Sequence, residues 1–286
     1  MSNYWQDRVA RAQAALTAKN TKDIERQLRK YYRRSMEQVI ADFEATYEKL
    51  LATVGADREP TPADLYKIDK YWKLQGQMQE ELQKLGSRQV SAMAKAFETN
   101  YFEVYFSLGL EGMESFSTID TQTVRQFINS IWVADGKSWS QRIWENTTKL
   151  AQTLNEELIS CVVSGRKTGD LKKMLQERFS VSYSAADSLV RTEMAHIQTG
   201  AARQRYMDYG IEMVEIWADE DERRCEVCGK LHQTKYPVGS SVPIPAHPRC
   251  RCCIVPVVDA VDNKQQEEQR KMLQVQETPK RIMIKK

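Results

Sequence analysis

Proline is almost absent from the first 210 residues. Only Pro60 and Pro62 occur there, and the other six prolines all lie beyond residue 210. Proline removes a backbone donor and clashes with the preceding helical turn, so a long stretch without it is free to carry helix wherever its apolar spacing supports one. The chain therefore divides into a long helical part and a shorter part of loops and strands.

Apolar spacing places the helices. Tyr4–Leu16 reads as a short helix. Thr21–Val54 reads as a long one, with Ile24, Leu28, Tyr31, Met36, Val39, Phe43, Tyr47 and Leu50 on one stripe. Gly55 and the two prolines make a turn. Ala63–Gln83 follows with Leu65, Ile68, Trp72 and Met78, and then Val90–Leu108, whose aromatic run (Phe97, Tyr101, Phe102, Tyr105, Phe106) has the spacing of a buried face. Gly109 and Gly112 break the pattern. Thr121–Trp132 and Gln141–Val163 are the next helices, and Cys161 sits on the apolar stripe of the second as a small core residue. Trp132, Trp139 and Trp144 are expected to pack around the turn between these two helices. Asp170–Phe179 and a helix opening at the capping-box-like Ser184-x-x-Asp187 read as helix, turn, helix, with Gly210 at the end. Ile211–Ala218 alternates as a strand, with Val214 and Ile216 on one face. Ile254–Val258 is a second strand candidate.

Between those strands lie five of the six cysteines and two of the three histidines. Cys225-x-x-Cys228 faces His247-Pro-Arg-Cys250-Arg-Cys252-Cys253 across a loop containing Pro and Gly. Soft donors paired at two-residue spacing are what a closed tetrahedral zinc site uses. Cys225 and Cys228 form one half. His247 and Cys250 form the natural other half, Cys252 is an alternative, and Cys253 starts the strand. Four of the five residues Cys225, Cys228, His247, Cys250 and Cys252 are expected to hold a structural zinc ion. His232 is a weaker candidate. The N-terminus has no apolar signal segment, so synthesis inside a cell, where thiols stay reduced, favours metal ligation over disulfides.

Charge and motif content narrow the function classes. The net charge is +3, but seven basic residues crowd Lys19–Arg34 against Asp23 and Glu25, and six crowd Arg270–Lys286 against Glu277. Lys22, Arg26, Arg29, Lys30, Arg33 and Arg34 are candidates for phosphate contacts with nucleic acid. The acidic run Asp219–Glu222 reads as a solvated turn. No apolar run approaches the roughly 20 residues of a membrane span. Zinc deaminases need His-x-Glu with Pro-Cys-x-x-Cys, whereas the histidines here read His196-Ile-Gln, His232-Gln-Thr and His247-Pro-Arg. There is no Gly-rich phosphate loop and no Ser-His-Asp arrangement. A non-enzymatic protein without a small-molecule substrate is expected.

Arg191-Thr192-Glu193, the strand ending in Trp217, the Asp221-x-x-x-Cys225-x-x-Cys228-Gly-x-Leu231 segment and the final His247-Pro-Arg-Cys250-Arg-Cys252 together resemble the phage head-morphogenesis or minor head protein family, related to the Mu F-like proteins, over about residues 165–258. The resemblance implies a virion component made in a bacterial host. It further implies a place in the procapsid interior, partners among portal, capsid and scaffold proteins, and possible contact with viral DNA during packaging or ejection. Some relatives carry a toxin or transferase domain after this region; with 28 residues beyond Val258, none is expected here.

The expected fold is mainly α: an elongated helical region over 1–164, a small α+β domain with a zinc-knuckle-like hairpin over 165–260, and a basic tail over 261–286. The alternative reading is a zinc-containing DNA-binding protein acting outside any particle. Spacing alone assigns Arg191 and Glu193 nothing beyond an ion pair or a cap.

Overall fold

A computed structural model describes residues 4–55, 61, 64, 69–108, 119–164, 168–218 and 224–257. The Pro60–Pro62 turn apart from residue 61, Gly109, Gly112, the acidic run at 219–222 and the basic tail lie outside the described residues, as do the side chains of Leu65, Ile68 and Cys161. Among the described residues, five helices lead into a small sheet: α1 (Tyr4–Val54), α2 (Asp69–Ser107), α3 (Thr121–Asn129), α4 (Trp139–Val163) and α5 (Thr168–Asp208), then β1 (Met213–Trp217), α6 (Glu226–Leu231), β2 (Lys235–Pro237) and β3 (Cys253–Pro256). The mainly helical class with a small α+β end is what the proline distribution led us to expect.

Three expected breaks are absent. The helices expected at 4–16 and 21–54 are one, α1, about 75 Å long at 1.5 Å per residue. Its polar middle is held by tertiary bonds: the buried Asn20 amide donates to Asn100 Oδ1 at 3.0 Å and to Glu103 Oε2 at 2.9 Å. The helices expected at 63–83 and 90–108 are likewise one over its described residues, α2, in which Gly86 leaves space that the Trp144 ring fills. The turn expected near residue 180 is continuous helix in α5. There Tyr32 and Asn146 hydrogen-bond to Ser182 and fix α1, α4 and α5 around one polar point. Local composition favoured an interruption at each place, and long-range bonding overrode it.

The core follows the expected stripe of α1, with Ile24, Leu28, Val39, Phe43, Tyr47 and Leu50 buried, but Tyr32 rather than Tyr31 is the fully buried tyrosine. On α2, Met78 is buried as its place on the expected stripe required, but Trp72 is 60% exposed, and Tyr71 and Leu74 face inward instead. Of the aromatic run, Phe97, Tyr101 and Tyr105 are buried and Phe106 is exposed. Trp139 alone of the three tryptophans is core; it donates to the Ile128 carbonyl, and Trp144 stays 40% exposed.

Helix α5 ends in a Schellman turn: Gly210 at φ +70°, with Ile211 N–H donating to the Tyr206 carbonyl and Gly210 N–H to Met207. The chain then enters β1, the centre of an antiparallel sheet of order β2-β1-β3. Ile216 pairs Ile254, and Val214 pairs Pro256 on one edge and Tyr236 on the other. Val214 and Ile216 face inward, as their alternation required. Three-residue β2, ending in proline, carries too little pattern to be read in advance. The sheet packs through β3 against α1 and α5. Buried Gln13 of α1 ties this junction, donating to the Tyr206 hydroxyl and the Ile254 carbonyl.

Candidate metal centre

Two tight turns bring the cysteines together. Cys225 is the N-cap of α6, and its Sγ accepts the backbone N–H of Cys228 at 3.3 Å. On the other side, Cys250 N–H closes onto the His247 carbonyl at 3.2 Å, with Arg249 between them at φ +62° and a cis Ile244–Pro245 bond just before. Both turns aim residues i and i+3 at one point. Cys225 Sγ lies 3.2 Å from His247 Nε2, Cys228 Sγ lies 3.1 Å from the same nitrogen, and Cys228 Sγ lies 3.8 Å from Cys250 Sγ.

The five expected donors form two overlapping triads, Cys225–Cys228–His247 and Cys228–Cys250–Cys252, each with its donor atoms within 4.8 Å of one another. Cys228 belongs to both. The second triad is fully buried, while Cys225 and His247 reach the surface. Two thiolates on a tetrahedral zinc at about 2.3 Å each stand about 3.8 Å apart, the Cys228–Cys250 separation. The shorter sulfur–imidazole separations are those of hydrogen bonds, and an ion between them would widen them to about 3.5 Å. Each triad thus offers donors of the soft kind that such an ion takes.

Electrostatics prepare some thiols and not others. The Cys252 thiol hydrogen-bonds to Cys250 and, with backbone N–H groups, holds the Cys250 sulfur down to about 5. The same bond pushes Cys252 up. Cys225 is lowered by the Cys228 N–H, whereas burial raises Cys228 to about 12. The Pro248 carbonyl, bonded to Nδ1 at 2.8 Å, raises His247 and leaves Nε2 turned to the sulfurs. A divalent cation would stabilise every thiolate in the cluster.

Two nearby candidates separate from the cluster. His232 caps α6, and its Nδ1 accepts the Ala218 N–H at 3.1 Å with the ring against Trp217. Cys253, at the start of β3, packs with Ala10 and Val255 in its own small cluster.

The Arg191-Thr192-Glu193 segment fastens α1, the 247–250 turn and the segment before α4 to α5, each residue to a different partner. Arg191 pairs with Glu25 of α1 at 2.5 Å and with Asp187 at 3.2 Å. Asp187 also holds the Arg249 guanidinium at 2.9 Å, and Thr192 Oγ1 accepts the Arg249 N–H at 3.0 Å. Glu193 accepts the Trp132 indole N–H at 2.9 Å. Trp132 stacks at 4.3 Å on His196, whose other face meets Phe127. Burial holds the Glu25 and Glu193 carboxyls above their ordinary range and pushes His196 down to about 4. Asp187, Arg249 and Thr192 were not legible as site residues, because their partners lie tens of residues away. The helical i, i+4 spacing of Asp187 and Arg191 was the one available signal.

The basic candidates Lys22, Arg26, Arg29, Lys30, Arg33 and Arg34 are all exposed on α1. Lys22, Arg26, Arg29 and Arg33 share one helical row. Arg26 pairs with Asp23, Arg33 with Glu37, and Arg29 lies over the Tyr183 ring. Through Arg29, which lies near Glu25 and Asp187, the row borders the Glu25–Arg191–Asp187–Arg249 chain and so adjoins the 247–250 turn.

Residues 152–255 match the family described as Phage Mu protein F like protein, a span from within α4 through the sheet and all five donors. Over 188 residues the chain is 23% identical to NAD(+)--arginine ADP-ribosyltransferase EFV of Enterococcus faecalis, covering 59% of this chain and 38% of that protein. The chain thus spans well under half the length of that relative. No solved structure matches.

Proposed function

We propose, on the premise that residues 152–255 belong to the Phage Mu protein F like family, that this chain is a minor structural protein of a tailed-phage or prophage head. It sits in the procapsid near the portal and acts in head morphogenesis, with a part in DNA packaging or ejection. In this reading residues 1–164 present helical surface to portal, capsid or scaffold, residues 165–260 form the metal-fastened domain, and 261–286 are a basic tail. The carrying observation is that the matched region coincides with the Arg191-Thr192-Glu193 anchor and the converging cysteines. The protein is non-enzymatic, and the ion is zinc. Zinc in a closed thiolate-rich shell supplies folding free energy to a loop-rich segment. Here it would clip the 247–250 turn to α6. Among the described residues no helix is long and apolar enough to cross a membrane.

Fractionation of induced or infected cells tests the assignment. The protein should co-sediment with procapsids, and recovery only as free protein would refute it. Comparing procapsids, filled heads and ejected particles then separates packaging from ejection. Elemental analysis of protein purified without chelator should find zinc near one ion per chain.

A second reading, DNA contact outside or inside the particle, is favoured by the exposed row Lys22, Arg26, Arg29 and Arg33. Phosphate neutralisation makes such binding fall steeply with salt. Duplex DNA should be retarded at low salt and released as salt rises; no retardation at low salt would end this reading.

A further inference from the structure

Five donors serve a site with four positions, and the structure distributes them unevenly. Cys228 alone belongs to both triads, so no three-donor set in the cluster omits it. Cys225 is the only thiol of the four in this cluster that reaches the surface; Cys228, Cys250 and Cys252 are 5%, 3% and 3% exposed. Cys252 stands within 4.8 Å of both Cys228 and Cys250. It faces the cluster because its neighbour Cys253 turns the opposite way, into the contact with Ala10 and Val255. The chain thus holds an inner thiol, protected from solvent, in one triad, while the other triad has an outer thiol that is open to it.

We propose that Cys252 is a reserve ligand: the resident set is Cys225, Cys228, His247 and Cys250, and Cys252 enters as a thiolate when the outer thiol of Cys225 is lost to substitution or to two-electron oxidation by a peroxide, which turns it into a sulfenic acid and the peroxide into an alcohol or water. This rests on the metal reading given above. Both sets contain three sulfurs and one imidazole nitrogen, so the exchange preserves the charge and softness of the shell. The Cys252 proton passes to solvent as its sulfur binds, and Cys225 leaves as a free or modified side chain. Cys228 is the pivot of the exchange and has no substitute. A site arranged in this way keeps its ion, and so keeps the 247–250 turn seated on Thr192 and Asp187, through damage to its most exposed donor.

The test uses the full chain purified under reducing conditions and reloaded with Co²⁺, whose thiolate charge-transfer absorption scales with the number of bound sulfurs. Wild type, Cys225→Ser and Cys252→Ser should each hold about one ion per chain with equal absorption, since each retains three thiolates. The double variant should lose about a third of the absorption, and Cys228→Ser should lose the ion. Loss of the ion, or of a third of the absorption, in Cys225→Ser alone overturns the reserve role, whatever Cys228→Ser does. Should Cys228→Ser fail to fold, the comparison of the two single variants with the double still decides. Wild-type protein that takes up no metal refutes the parent reading instead, so the two failures are distinguishable.

Discussion

Replacing Glu193 with alanine should destabilise the protein by about 1–3 kcal/mol, because the Trp132 indole N–H then loses its acceptor at 2.9 Å. The carboxylate is 3% exposed and Trp132 is half-buried on His196, so the lost bond lies where solvent replaces it poorly. A cavity of about 670 Å³ that Glu193 and Trp132 both border lets water approach the orphaned donor, which places the cost in the lower half of that range, about 1–2 kcal/mol. Glutamine keeps an acceptor and removes the charge, so Glu193→Gln should match or exceed wild type at neutral pH. The sign follows from burial, which raises the folded-state pKa above its ordinary 4.5. A raised acid contributes its full stability below the unfolded value and loses it as pH climbs through the folded one. Wild type should therefore lose ground to Glu193→Gln as pH rises from about 4.5 through the raised value. Urea unfolding followed by tryptophan fluorescence across that range measures both effects. An alanine variant costing under about 0.5 kcal/mol, or a glutamine variant as damaged as alanine at neutral pH, would refute the role of Glu193 as an acceptor that anchors Trp132.

Gly200→Ala should cost about 1–2 kcal/mol after the helix-propensity gain, since its new Cβ would stand 2.1 Å from the Phe127 ring, which is itself stacked on His196. Gly86→Ala meets Trp144 at 2.6 Å, but that ring is 40% exposed and can swing away, so urea midpoints should show it near neutral. Cys253→Ala should leave metal content unchanged while costing about 1 kcal/mol, because Cys253 packs on Ala10 and Val255 rather than in the cluster; loss of metal on that substitution would place the donors wrongly.

The sequence was legible wherever a property is local. The Gly210 cap, the inward alternation of Val214 and Ile216 and the departure of Cys253 into β3 each depend on a few adjacent residues, and all appear as read. Helix continuity was not legible, because it is decided from outside the segment. Asn20 is held in helix by Asn100 and Glu103, and Ser182 by Tyr32 and Asn146. The same distinction governs the site. Five donors could be counted from spacing, but that Cys228 is common to both triads is a fact of three dimensions.

Arg191-Thr192-Glu193 shows why such a motif reads as featureless beforehand. On a helix, three consecutive residues point about 100° apart, so they cannot act on one ligand, and a search for a catalytic constellation passes over them. The same divergence suits a junction. Arg191 reaches α1, Thr192 reaches the metal loop and Glu193 reaches the connection between α3 and α4, so three separate parts are located by one turn of α5. The Thr192 and Asp187 bonds to Arg249 hold a residue that lies between His247 and Cys250, so the placement of two candidate metal donors depends on a helix that supplies no donor itself. A metal held by the cluster would therefore constrain the same short turn that helix α5 constrains from the opposite side. Loosening either should weaken the other, in the way that second-shell partners tune a metal site.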